Sequence, residues 1–287
     1  MSKLITYYNN GTISLTSATN LPYTDIILAF LYTTPNNPLT LSIAGGIAAA
    51  TSPPELTQTI IDTIKELKAK GQKVLISFGG AQMNWETYKN IVGHEQELAK
   101  SIAKFVKDNN LDGVDIDFED TASFNGTAGY DGVNFLIQLT QALRSELPSP
   151  QYLITHAPQP PYLEAGSGID GYVKVMQQIG SAIDWLNVQF YNNLPWSSTP
   201  NQIVTSYWQF SKLQGLSPEK IMIGLPVTEN DAGSGYIPVN DIVTEIIRPI
   251  QEQGVLGGMM NWQFSSDKNG VWANTVGQAL KLEAPIL

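Results

Sequence analysis

The segment 111–120, LDGVDIDFED, carries acids at positions 112, 115, 117, 119 and 120. Strand side chains alternate between faces, so Asp115, Asp117 and Glu119 share one face, with Val114, Ile116 and Phe118 on the other. Carboxylates two residues apart stand roughly 6–7 Å from one another. Their repulsion raises at least one pKa and couples the titrations. Glu119 is then a carboxyl able to keep a proton near neutral pH, as a general acid must. Two other readings stand beside this one. A calcium loop of the D-x-D-x-D type wants turn residues and a glycine where this run has valine, isoleucine and phenylalanine. A structural acid cluster would be satisfied by arginines, and the chain has only Arg144 and Arg248.

A strand with three acids on one face needs neighbours that cover its apolar side. β-rich runs occur at 4–8, 25–32, 73–78, 111–118, 152–157, 185–191, 220–225 and 257–264. Helical spacing fills the gaps between them. Ser52-Pro53-Pro54-Glu55 reads as a capping box ahead of Leu56, Ile60, Ile64 and Leu67. Further helices are expected around Leu98–Val106 and over 132–147, 172–178, 202–213, 241–253 and 276–282. Eight β/α units in 287 residues predict an α/β fold, the (β/α)8 TIM barrel. A doubly wound open sheet is the structural rival. No linker divides the chain, so 1–287 is expected to be one domain. In a barrel the apolar face packs on helices and the acids point inward. Glu119 then falls at the C-terminal end of its strand, where barrel enzymes keep their chemistry.

Composition narrows the partners. Net charge is −10 and the pI near 4.6, with no basic cluster, which argues against nucleic acid. No apolar run reaches the roughly 18 residues of a membrane span. Cysteine is absent and only His94 and His156 occur, so thiolate chemistry is out and a metal site is not expected. Charged residues make up only 15%, so amides and hydroxyls dominate the surface and neutral ligands suit it. The first residues, MSKLITYYNN, lack the features of a secretory leader. The compartment is extracellular if a leader was removed and cytoplasmic otherwise. A monomer without cofactor is expected.

DGVDIDFE resembles the D-G-x-D-x-D-x-E signature of glycoside hydrolase family 18, the chitinase family. Ser77-Phe78-Gly79-Gly80 is similar to the family's S-x-G-G, and Gln189-Phe190-Tyr191-Asn192 and Trp262 follow in the expected order. Ala157-Pro158-Gln159 and AGSGY at 232–236 resemble the single-domain plant and fungal class III branch. Two features depart from common members. Gln189 and Asn192 stand where many have M-x-Y-D, and the disulfides of plant members are missing. The stretch 223–255 is too short for the α+β insertion some chitinases carry, which implies an open cleft and endo action.

The resemblance implies a retaining, substrate-assisted reaction on N-acetylglucosamine polymers, with chitin or chitooligosaccharide as substrate. In it Glu119 is the general acid and base. Asp117 holds the acetamido N–H, Asp115 tunes Asp117 and shares a proton with it, and Tyr191 orients the acetamido oxygen. Trp262 stacks on a sugar ring, or else is a core tryptophan. Tyr7 and Phe30 line the same pocket, and Gln189 and Asn192 flank Tyr191 with hydrogen-bonding groups. Gly79 and Gly80 permit close backbone approach. Trp85 and Trp196 are expected in loops, either at the outer cleft or in surface packing. His156 is expected to be a satisfied core histidine and His94 a helix-start residue. Other readings are an endo-β-N-acetylglucosaminidase acting on the chitobiose core of N-glycans, or a non-catalytic chitin-binding lectin on the same scaffold.

Overall fold

The computed structural model describes residues 2–9, 11–49, 51 and 55–285. Eight parallel strands close a barrel: β1 (Lys3–Tyr8), β2 (Asp25–Thr34), β4 (Lys73–Gly79), β5 (Gly113–Asp117), β6 (Leu153–His156), β7 (Trp185–Gln189), β8 (Ile221–Pro226) and β9 (Gly258–Trp262). β1 pairs with both β2 and β9, and that double pairing rules out the open-sheet rival. β3 (Asn37–Ile43) is an addition, folding back antiparallel on β2 as a hairpin. Leu39, Leu41 and Ile43 alternate with polar residues and pack on the core, and Pro38 is tolerated because this is an edge strand.

Helices cover the outside: α1 (Gln58–Ala69), α2 (Trp85–Ile91), α3 (Glu95–Asp108), α4 (Gly132–Glu146), α5 (Gly171–Ile179) and α6 (Pro200–Phe210). α7 (Val239–Asp241), a π-helical stretch (Ile242–Ile247) and α8 (Arg248–Gln253) follow, then α9 (Val271–Ala279). α1 starts later than the sequence pattern suggests. Thr57 caps it by accepting from the Ile60 N–H at 3.3 Å, while the expected capping box at Ser52–Pro54 lies outside the described residues. Trp85 opens the short helix α2 instead of lying in a loop. The wide π turn precedes Pro249, whose ring cannot fit the regular ladder. Between β8 and β9 the described residues hold helical turns and loop and no added sheet.

Strand alternation divides the interior in two. Val114, Ile116 and Phe118 join the large layer between sheet and helices. A smaller cluster inside the barrel includes Ile5, Tyr7, Ile27, Ala29, Leu75 and Trp185. Phe30 belongs to that inner cluster too, although alternation from Ala29 would turn it outward. A register shift between Ala29 and Leu31 explains this, since a bulge re-aims a side chain.

The end of the barrel opposite the acids is held by ion pairs. Arg144 donates to the carbonyls of Ala182, Leu147 and Tyr152 and reaches Asp184 Oδ2 at 2.7 Å. Asp184 Oδ2 also accepts from the Ile154 N–H at 2.7 Å, so one partly buried pair ties α4 to the starts of β6 and β7. Arg144→Ala strands these acceptors and should lower stability by about 2 kcal/mol. The loss is to be read by urea denaturation, and turnover of the folded variant should stay near that of the native chain.

Candidate active site

The acids lie at the C-terminal end of the barrel, at three successive levels. Asp115 is the deepest and is fully buried. Its Oδ2 accepts from the Tyr7 and Ser77 hydroxyls, each at 2.8 Å. Its Oδ1 accepts from Thr155 Oγ1 at 2.6 Å and Asn187 Nδ2 at 3.2 Å. These donors come from β1, β4, β6 and β7. Ser77 and Thr155 stand beside Asp115 in strand register, so the pairing itself delivers two of them. Burial pushes the Asp115 carboxyl up, and the four donors pull it back towards the ionised form.

Asp117 is one level higher. Its Oδ1 accepts from Gln189 Nε2 at 2.8 Å, and the same amide nitrogen lies 3.4 Å from Glu119 Oε1 and 2.9 Å from the Ala157 carbonyl. Burial, then the charges of Glu119 and Asp115, push Asp117 well above the usual carboxylate range. A hydrogen bond between the two carboxyls raises Asp117 and lowers Glu119, while burial still leaves Glu119 raised overall. Of the two acids, Asp117 is the one raised further. Asp115, one level below, spends its acceptor sites on hydroxyl and amide donors. Neither arginine takes part, so the arginine-satisfied acid cluster does not hold.

Gly79 decides how closely β4 meets this strand. Its φ is +121°, and a Cβ there would lie 2.1 Å from the Asp117 carbonyl oxygen. The Gly80 N–H donates to that same oxygen at 2.9 Å. The approach these glycines permit is therefore to the backbone of Asp117.

Above the pair opens a cavity of about 540 Å³. Asp117, Glu119, Gln189, Tyr191, Phe30 and Trp262 line it. The Trp262 ring stacks on Phe30 with centroids 6.0 Å apart and a 30° interplanar angle. Burial and the charges of Asp117, Glu119 and Asp115 hold the Tyr191 hydroxyl protonated. Asn192 also lines the cavity, with φ +57°, and its Oδ1 accepts from the Gly233 N–H at 2.7 Å, tethering the following loop. Tyr7 is not on the wall. It pairs in register with Ile27, three residues below Phe30, and is 2% exposed with its hydroxyl on Asp115.

The remaining candidates fall outside the cavity. His156 is fully buried between Thr140 Oγ1 at 3.2 Å and the Tyr172 hydroxyl at 3.0 Å, and burial lowers its pKa to about 3. It is a neutral core histidine. His94 sits at the start of α3. Trp85 is exposed with Lys89 above its ring, and Trp196 packs on the outer core. Sequence reasoning missed Asn187 and Thr155, although Asn187 occupies the inward position two residues before Gln189. It also gave no role to Asn9, Gln82, Gln159, Asn193 and Asp231, which line the rim. Those come from segments beyond the strand ends, where no periodicity marks a side chain.

Residues 3–240 match glycosyl hydrolases family 18. The crystal structure of a GH18 chitinase from Pseudoalteromonas aurantia is 57% identical, with a TM-score of 0.94 over 97% of this chain and 100% of that one. An acidic endochitinase of Arabidopsis thaliana is 28% identical over 289 residues, 91% of this chain and 84% of that protein. A class III chitinase of Arthroderma benhamiae is 29% identical over 239 residues, 74% and 66% of the two chains.

The raised Asp117 pKa has a consequence for stability. The folded chain binds this proton more tightly than the unfolded chain does. Stability therefore falls as pH rises from about 4, the ordinary aspartate value, towards the raised one. Asp117→Asn removes that proton, so thermal melts across this window should show a shallower decline for the variant than for the native protein.

Proposed function

The chain belongs to glycosyl hydrolases family 18 and is a glycoside hydrolase; from that premise we propose that it is an endo-acting chitinase working by a retaining, substrate-assisted mechanism. The observation that carries this reading is the Asp117–Glu119 pair, two carboxyls raised by burial on the wall of a cavity that Tyr191 and Trp262 also line. A two-carboxylate retaining mechanism needs a nucleophile across the sugar from the acid. The other carboxylate on the cavity wall, Asp231, is tied to Thr228 and Ser266. An acetamido group on the substrate supplies the nucleophile instead.

In this reading the proton passes from Asp117 to Glu119 when the sugar binds. The Asp117 carboxylate then accepts the acetamido N–H. Tyr191 donates its hydroxyl to the acetamido oxygen and aims it at C1. As that oxygen bonds to C1, the glycosidic bond breaks and its oxygen takes the Glu119 proton. The cationic oxazolinium lies beside the Asp117 carboxylate, with the Asp115 charge one level below. Water then attacks C1 and gives its proton to Glu119, restoring the β configuration. Trp262 stacks on the sugar face, and Gln189 holds the two acids in place. We read the barrel as a single catalytic unit, and the lack of a wall between β8 and β9 favours binding along the middle of a chain. Names of related chitinases and endochitinases support chitin as the polymer.

Four measurements test this. Chitohexaose cleavage followed by rapid proton NMR should release the β anomer first, and α product would overturn the mechanism. Glu119→Gln should lower kcat by roughly 10²–10⁴-fold while chitooligosaccharide still binds. The pH profile should be a bell, falling on the alkaline side as the pair loses its one proton and on the acid side as it gains a second. A high-mannose glycopeptide cleaved in preference to chitohexaose would select the N-glycan reading instead.

A further inference from the structure

Asp231 is the carboxylate of the cavity that the proposed reaction leaves without a step. It lies in the turn after β8, half-buried, and lines the same cavity as Asp117 and Glu119. Its side chain is fixed. Oδ2 accepts from the Thr228 N–H at 2.8 Å and the Thr228 hydroxyl at 2.7 Å, and Oδ1 accepts from the Ser266 hydroxyl at 2.6 Å. A carboxylate offers about four lone-pair sites, so these three bonds leave one acceptor site, on Oδ1. Among the described residues that line the cavity there is no lysine, arginine or histidine, and Asp231 forms no ion pair among the described residues. A rigid anion with one open acceptor site, in a cation-free cavity, is matched by a ligand that brings a positive donor of its own.

We propose that Asp231 is a specificity-determining residue that turns the cavity towards partly deacetylated chains, in which a glucosamine ammonium sits against its carboxylate. This rests on the chitin reading above. The sugar that is cut still needs its acetamido group, because that group is the nucleophile. The ammonium belongs to another ring of the same chain. A primary ammonium has three donors and no acceptor. It can fill the open site on Oδ1, and a neutral acetamide at the same ring position cannot supply the charge. The other wall groups are compatible with this, since Gln159, Asn193 and Gln82 are neutral amides that accept either ring substituent.

The experiment compares two soluble hexamers, fully acetylated and carrying one internal glucosamine, at low and high salt. For the native protein the ratio of kcat/KM, glucosamine chain over acetylated chain, should be above one and should fall as salt is raised. Asp231→Asn keeps the size of the side chain and one acceptor oxygen and removes the charge. In that variant the ratio should drop about tenfold and lose its salt dependence, and Asp231→Glu should restore part of it. An unchanged ratio in Asp231→Asn, or an equal loss on both hexamers, would overturn the proposal. If the native protein cleaves neither hexamer, the hydrolytic reading fails. Calorimetric binding of the same hexamers to native protein and Asp231→Asn then decides the ammonium preference by itself, with equal affinities counting against it.

Discussion

A carboxylate at the centre of a barrel is an expensive thing to bury. Asp115 carries that cost, and the way it is met organises the interior around it. Four donors from four different strands converge on its two oxygens. Each is a hydrogen bond to a charged acceptor, stronger than the neutral kind. Together they let one charge persist where desolvation opposes it. The strands are thus joined through the barrel axis as well as round its circumference. Burial, then the charges of Glu119 and Asp115, raise the pKa of Asp117, one level above Asp115.

The same logic explains where backbone precision is needed. Asp117 must face inward one level above Asp115, with β4 pressed against its carbonyl. Only a residue without a Cβ, in a left-handed conformation, fits at Gly79. Gln189 then spans from β7 to both acids and to the Ala157 carbonyl, so a single amide sets the spacing of the pair. Stability is anchored elsewhere, by Arg144 and Asp184 at the opposite end. This division between a face for chemistry and a face for cohesion belongs to barrels in general.

Much of this was legible in the chain. Alternation placed Asp115, Asp117 and Glu119 inward and Val114, Ile116 and Phe118 outward, because a period of two leaves no other choice. The repeat of strand and helix gave the closed barrel. Other features depended on information that periodicity does not hold. Phe30 faces inward because of a register shift. Tyr7 lies under the cavity because strand register, set by pairing between distant segments, decides its depth. The β2–β3 hairpin was missed although Leu39, Leu41 and Ile43 alternate at a strand's period, because Pro38 inside the run argues against a strand. The donors to Asp115 were not foreseen because they come from strands far apart in sequence. Asp231 carried no signal, since nothing in a turn residue's type tells which cavity it borders.

The composition of the Asp115 cage has one more consequence. Serine, threonine and asparagine side chains do not titrate in the range where proteins work, and the Tyr7 hydroxyl is pushed well above its ordinary pKa of 10. The four donors around Asp115 therefore add no further titrating group to the base of the site in that range. Acidity outside is felt through the three acids of the column, whose carboxyl pKa values burial raises, Asp117 most strongly of the three. An evolving lineage could then shift its working pH by exchanging residues around the upper two acids and on the rim, leaving the base untouched. Adaptation to a sour or an alkaline habitat becomes a matter of editing the upper storey of the barrel, with the foundation held constant.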